Sequence, residues 1–155
     1  MPTCVLFVCL GNICRSPLAE AAFRLEADRR GIDVDVDSAG TGNWHVGAPP
    51  DRRALAVAAR HGVDISHLRA RQVSREDFER FDHIVALDRE NLAELRAVAP
   101  PRARARLSLL LDHVAGREGE PVADPYDGGD AHFEATWRDV SAGARALAEA
   151  IGACR

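Results

Sequence analysis

Cys9 and Arg15 stand six positions apart in the segment Cys9-Leu10-Gly11-Asn12-Ile13-Cys14-Arg15-Ser16-Pro17. A cysteine thiolate is a strong nucleophile, and a guanidinium grips two oxygens of a tetrahedral anion at once. Where such a segment turns from a strand into a helix, its backbone N–H groups converge on an anion and the helix N-terminus adds positive potential. The same environment favours the thiolate over the thiol. A thiolate beneath a cradled phosphoryl group attacks phosphorus in line. A hydroxyl at Ser16 can then donate to the sulfur and stabilise it as a leaving group. Gly11 and Asn12 both tolerate left-handed backbone, which a loop curled around an anion needs. Cys9 and Arg15 are thus candidate catalytic residues, and Leu10, Gly11, Asn12, Ile13, Cys14 and Ser16 form the candidate phosphate-binding loop.

Cys-x5-Arg alone is a weak pattern, so the elements around it matter. Val5-Leu6-Phe7-Val8 is continuously apolar and partly β-branched, as in a strand covered on both faces. Ile84-Val85-Ala86-Leu87 and the run from Leu107 to Leu111 read the same way. Asp33-Val34-Asp35-Val36-Asp37 alternates strictly and reads as a half-buried strand near an edge. Ser16-Pro17 resembles a helix cap followed by proline at the first helical position. Leu18, Ala21, Ala22 and Leu25 then share one face, and Gly31 offers a left-handed stop. Further helices are expected from Pro49-Pro50-Asp51 to His61-Gly62 and over residues 89–98. Phe133, Trp137, Val140, Ala144, Leu147 and Ile151 recur at three and four, which predicts a long amphipathic helix. Strands alternating with helices imply an open α/β sandwich around a mostly parallel sheet, where ligands bind beyond the carboxyl ends of strands. Residues 39–50 and 112–131 are the long irregular stretches and the candidate binding loops.

Composition removes other chemistries. The chain has 155 residues and a formal net charge of −4, which fits one domain and gives no sign of nucleic-acid binding. All 20 basic residues are Arg. Without Lys there is neither a Walker A lysine nor a Schiff-base lysine. No apolar run approaches the roughly 18 residues of a membrane span. No basic segment precedes an apolar stretch at the N-terminus, so no signal peptide is expected and a cytoplasmic location is. The four cysteines, Cys4, Cys9, Cys14 and Cys154, are then expected as reduced thiols, without zinc-ligand spacing. Cys4 and Cys154 are assigned only packing or exposure at the tail.

Residues 5–17, VLFVCLGNICRSP, resemble the signature of the low-molecular-weight protein tyrosine phosphatases. The resemblance extends through Asp37-Ser38-Ala39-Gly40-Thr41, Gly47 to Asp51, Arg60-His61-Gly62, Ser66-His67, Ala70-Arg71-Gln72 and Asp124-Pro125-Tyr126, in the family's order. It implies one phosphatase domain over residues 1–155, with an open four-stranded parallel sheet flanked by helices on both faces and the phosphate loop after strand 1. It also implies a metal-independent hydrolase without cofactor, acting on tyrosine-phosphorylated proteins through a phosphocysteine intermediate.

By that resemblance Asp124 is the general acid and then the base. Spacing alone leaves Asp88 as a competitor, since it ends a buried strand on the same edge. Tyr126 matches a ring-contacting tyrosine, and Ile13 and Trp44 complete the expected apolar walls for an aryl ring. Many eukaryotic members carry two adjacent tyrosines here, whereas this chain has Tyr126-Asp127. Ser38 and His67 match positions that hydrogen-bond to Asn12 and hold the loop open. Cys14 matches a second cysteine that bridges to Cys9 on oxidation, which implies a redox-sensitive enzyme.

Three rival functions differ by residue. Thioredoxin-coupled arsenate reductases of similar fold need two further cysteines past the third strand, and residues 80–100 contain none. Phosphoarginine phosphatases of the same family place Thr where this chain has Ile13. A phosphopeptide-binding module would be expected to lack the nucleophile or the acid, whereas Cys9, Arg15 and Asp124 are all present. Oligomeric state has no signature in the chain.

Overall fold

The structure is a computed structural model that describes residues 2–153. Four parallel strands, β1 (Thr3–Cys9), β2 (Val34–Gly40), β3 (His83–Ala86) and β4 (Arg106–Leu109), lie in the order β2-β1-β3-β4. The helices are α1 (Arg15–Arg30), α2 (Arg52–Arg60), α3 (Asp77–Arg80), α4 (Arg89–Val98) and α5 (Asp130–Ala153).

The unbroken apolar run at the start of the chain becomes the central strand because both its faces are covered. Val5, Phe7 and Cys9 join a core with Leu18 and Phe23 of α1, Val57 of α2, and Trp137 and Leu147 of α5. Leu6 and Val8 point the other way, into a core with Phe78 of α3 and Leu92 and Leu95 of α4. Burying a side chain of this size stabilises the fold by about 1.5–3 kcal/mol. The alternating strand, β2, takes the edge as expected. Val36 is buried, while Asp35 and Asp37 turn outward to Arg80 and Arg71. The chain leaves β1 through α1 to β2 on one side, and β3 lies on the other. The loop after β1 therefore sits in the crevice where the strand order reverses.

The α5 stripe holds at every position read from the sequence, with all six residues buried. Several boundaries differ, and β2 runs on to Gly40, into the stretch expected to be irregular. The run at 107–111 is strand only to Leu109, and Leu110–His113 forms a 3₁₀ turn. The Asp112 carboxylate accepts the Leu109 N–H at 3.1 Å, and Leu110 and Leu111 turn into the α5 core. Helix α1 begins at Arg15, with Cys14 at the cap position and no side-chain cap bond, so Ser16 is not the cap. Its hydroxyl is engaged in the loop instead. Pro17 sits in the first turn, where a missing N–H costs no intrahelical bond. No helix among the described residues is long and apolar enough to cross a membrane. Cys154 lies outside the described residues.

Candidate active site

Cys9 closes β1, and residues 10–14 curl back over it. Its Sγ lies 3.0 Å from Ser16 Oγ and accepts the Asn12 N–H at 3.3 Å. Asn12 has φ 58°, the one left-handed non-glycine residue among those described. That conformation costs energy for most residues and least for Asn. Here it is locked by a saturated side chain. Asn12 Nδ2 donates to Ser16 Oγ at 2.8 Å and to Ser38 Oγ at 3.0 Å, and Oδ1 accepts the Arg71 N–H at 3.0 Å.

Ser38 thus meets Asn12, and His67 does not. His67 is exposed and lines a separate groove with Glu20, Arg24 and Leu68. The backbone of Arg71, a donor that a sequence motif cannot reveal, bonds the Asn12 carbonyl where a histidine was expected. Gly11 also differs from expectation, because its φ is not positive. Its glycine makes room instead: a Cβ there would stand 3.0 Å from His45 Cδ2. At Gly40 a Cβ would come within 2.7 Å of Leu10 O, so only glycine lets the end of β2 press against the loop.

The first bond of α1 runs from Leu18 N–H to Cys14 O at 3.2 Å. The N–H groups of Arg15 and Ser16 precede it and are positioned to serve an anion. Arg15 is buried, with Nη1 donating to Asp88 Oδ2 at 2.7 Å and to Val122 O at 3.0 Å. Burial alone would lower its pKa, but the Cys9 sulfur and then Asp88 outweigh it and hold the guanidinium above its ordinary range. A buried cation paired this way is both charged and fixed in orientation. Asp88 spends both oxygens, since Oδ1 also accepts the Asn91 N–H at 2.8 Å as the cap of α4. It is built to hold Arg15, not to trade protons.

Asp124 is more exposed and more loosely held. Its side chain is 49% exposed, Oδ2 lies 3.7 Å from Arg15 Nη2, and Oδ1 accepts the Tyr126 N–H at 3.1 Å. Cys9 and Arg15 floor a cavity of about 200 Å³, with Asp124 at its side. Leu10, Ile13, Cys14, Trp44 and Tyr126 add apolar surface to the same cavity. Trp44 is 70% exposed, so its ring is a rim rather than a core group. Cys14 is buried beside the nucleophile candidate. Burial, then Asp51 and Cys9, push its thiol up to about 12, so it stays protonated. His45 also lines the cavity, at a position the sequence marks only weakly. Its one signal was a titratable ring beside Trp44 in a predicted binding loop.

The arrangement combines a sulfur, a fixed cation and a carboxyl group around one small polar floor with apolar walls. Residues 4–154 match the family model described as low molecular weight phosphotyrosine protein phosphatase. The chain belongs to that family. A low molecular weight phosphotyrosine protein phosphatase of Schizosaccharomyces pombe is 46% identical over 132 residues, 83% of this chain and 84% of that protein. The low molecular weight protein-tyrosine-phosphatase YfkJ of Bacillus subtilis is 42% identical over 149 residues, 95% of this chain and 94% of that protein. The crystal structure of YfkJ has a TM-score of 0.92 to this chain, at 39% identity, covering 100% of this chain and 98% of that one. A Drosophila arginine phosphatase structure has a TM-score of 0.88 at 34% identity, covering 95% and 96%. The low molecular weight phosphatase fold thus serves relatives named for two different phosphorylated side chains.

Proposed function

We propose that this family member hydrolyses phosphotyrosine in proteins by way of a phosphocysteine. The observation that carries the reading is the cavity itself. Its floor holds Cys9 and Arg15, Asp124 stands at its side, and Ile13, Trp44 and Tyr126 supply apolar walls. Arg15 and the loop amides hold the equatorial oxygens while the Cys9 thiolate attacks phosphorus. The S–P bond forms as the P–O bond to the ring breaks, and Asp124 gives its proton to the departing tyrosine oxygen. The same carboxylate then takes a proton from water as that water attacks phosphorus. The thiolate leaves, stabilised by Ser16. No step calls for a metal.

A phosphoarginine substrate is the second reading, favoured by the arginine phosphatase among the structural relatives. Ile13 weighs against it, because a branched apolar side chain at the wall suits an aryl ring better than a guanidinium. The test is kcat/KM on matched peptides carrying phosphotyrosine or phosphoarginine. Faster turnover of the phosphotyrosine peptide is the expected result, and the reverse order would replace the reading.

Cys14 enters the proposal as a resolving thiol. Peroxide converts the Cys9 thiolate to a sulfenic acid, and the Cys14 sulfur attacks it, its proton leaving with the sulfenic hydroxyl as water, to form a disulfide. Peroxide-treated enzyme is expected to recover with dithiothreitol, whereas Cys14→Ser recovers far less, because Cys9 proceeds to irreversible acids. Peptide mapping should find the bridge between Cys9 and Cys14 in the oxidised wild type. Equal recovery without a bridged peptide would leave Cys14 as packing.

A further inference from the structure

Arg53 lies in the first turn of α2, where the helix dipole opposes a cation. Its guanidinium is nevertheless held on several sides. Nε and Nη2 fork onto Asp51 Oδ1 and Oδ2, each at 3.0 Å. Nη1 donates to Gly128 O at 2.7 Å. The guanidinium carbon stands 5.5 Å from the Tyr126 ring centroid and 4.7 Å from that of Phe133.

Each end of this clamp reaches the site. Asp51 donates its N–H to Ile13 O, in the phosphate loop, at 2.8 Å. Gly128 donates its N–H to Pro125 O at 2.8 Å and closes the turn that contains Tyr126, whose N–H is bonded to the preceding Asp124 carboxylate. Val122 is tied to Leu87 O, and α5 starts at Asp130. Between them, Gly129 bonds only the start of α5, through His132 and Phe133, and the bond from Arg53 to Gly128 is the one hydrogen bond to any other element among the described residues. The other ties are the contact of Arg53 with the Tyr126 ring and the 3.7 Å ion pair of Asp124 with Arg15.

We propose that Arg53 is a positioning residue: it fixes the turn at 124–128 over the phosphate loop and so sets where Asp124 meets the leaving oxygen. The inference rests on the reading of Asp124 as the general acid. Arg53 itself touches no reacting atom. Its loss should therefore impair proton delivery and leave anion binding intact. A misplaced acid loses rate in proportion to how much the leaving group needs its proton.

The test is kcat/KM for Arg53→Gln, Asp124→Ala and the double variant across aryl phosphates whose phenols range from tyrosine-like to strongly acidic. The inhibition constant of inorganic phosphate is measured alongside. Arg53→Gln is expected to lose about tenfold on the tyrosine-like ester and under about twofold on the most acidic phenol. Phosphate inhibition should be unchanged. In the Asp124→Ala background the same substitution should cost little more, because the group it positions is gone. Arg53→Lys keeps the charge near the rings but not the fork, and should fall between; it also decides the matter if Arg53→Gln does not fold. Equal losses across the series, additive losses in the double variant, or weakened phosphate binding would each overturn the inference. If Asp124→Ala shows the leaving-group dependence and the Arg53 variants do not, Arg53 alone is misassigned. If Asp124→Ala shows none, the acid assignment fails and the Arg53 inference falls with it.

Discussion

Cys9→Ser should abolish turnover of p-nitrophenyl phosphate while leaving the protein folded. A hydroxyl stays protonated where a thiol ionises, so the in-line attack loses its nucleophile. The expected loss is roughly 10⁴-fold or more, the scale that follows removal of a covalent nucleophile. Folding should survive because the serine oxygen replaces the sulfur at the end of β1 with little change in volume, next to Ser16 Oγ and the Asn12 N–H. Thermal unfolding and phosphate binding measured on the same preparation check that premise. Wild-type activity should persist in excess chelator. Appreciable turnover by pure Cys9→Ser, or a requirement for added divalent ions, would contradict the mechanism.

Asp124→Ala should lose about 10²–10³-fold in kcat/KM on phosphotyrosine and far less on esters of very acidic phenols. A good leaving group departs without a proton, so removing the donor matters little there. The geometry motivates the choice between two carboxylates. Asp88 is committed to the Arg15 guanidinium at 2.7 Å and to the Asn91 N–H at 2.8 Å. Asp124 is half exposed at the cavity, with Oδ2 held only by the longer approach to Arg15. Asp88→Ala should behave differently: its damage should fall on every leaving group alike, because it frees the cation that holds the phosphoryl oxygens. A flat leaving-group profile for Asp124→Ala would move the search for the acid elsewhere.

Local patterning along the chain sets the elements that bring the site into being. A strand buried on both faces must be apolar at every position, so residues 5–8 announced the centre of the sheet. A strand with one wet face must alternate, so residues 33–37 announced an edge. A helix packed on one side repeats at three and four, so the α5 stripe could be read residue by residue. The Cys9-to-Arg15 spacing was legible for the same reason: both groups lie in one continuous segment, and local geometry alone brings them to one anion. Contacts between distant segments follow instead from tertiary packing. Asn12 is held by Ser38, 26 residues away, and by the backbone of Arg71, 59 away. Arg15 is held by Asp88, 73 away, and Arg53 reaches Gly128, 75 away. No local periodicity encodes such pairs, because they depend on how layers stack after the chain has folded. Resemblance placed His67 beside Asn12, and the stacking of these layers placed a backbone N–H there instead. Ser16 shows the same limit at close range. Its type predicts a helix cap, but the sulfur and the amide that folding brings beside it claim its hydroxyl, and the cap falls two residues earlier, at Cys14.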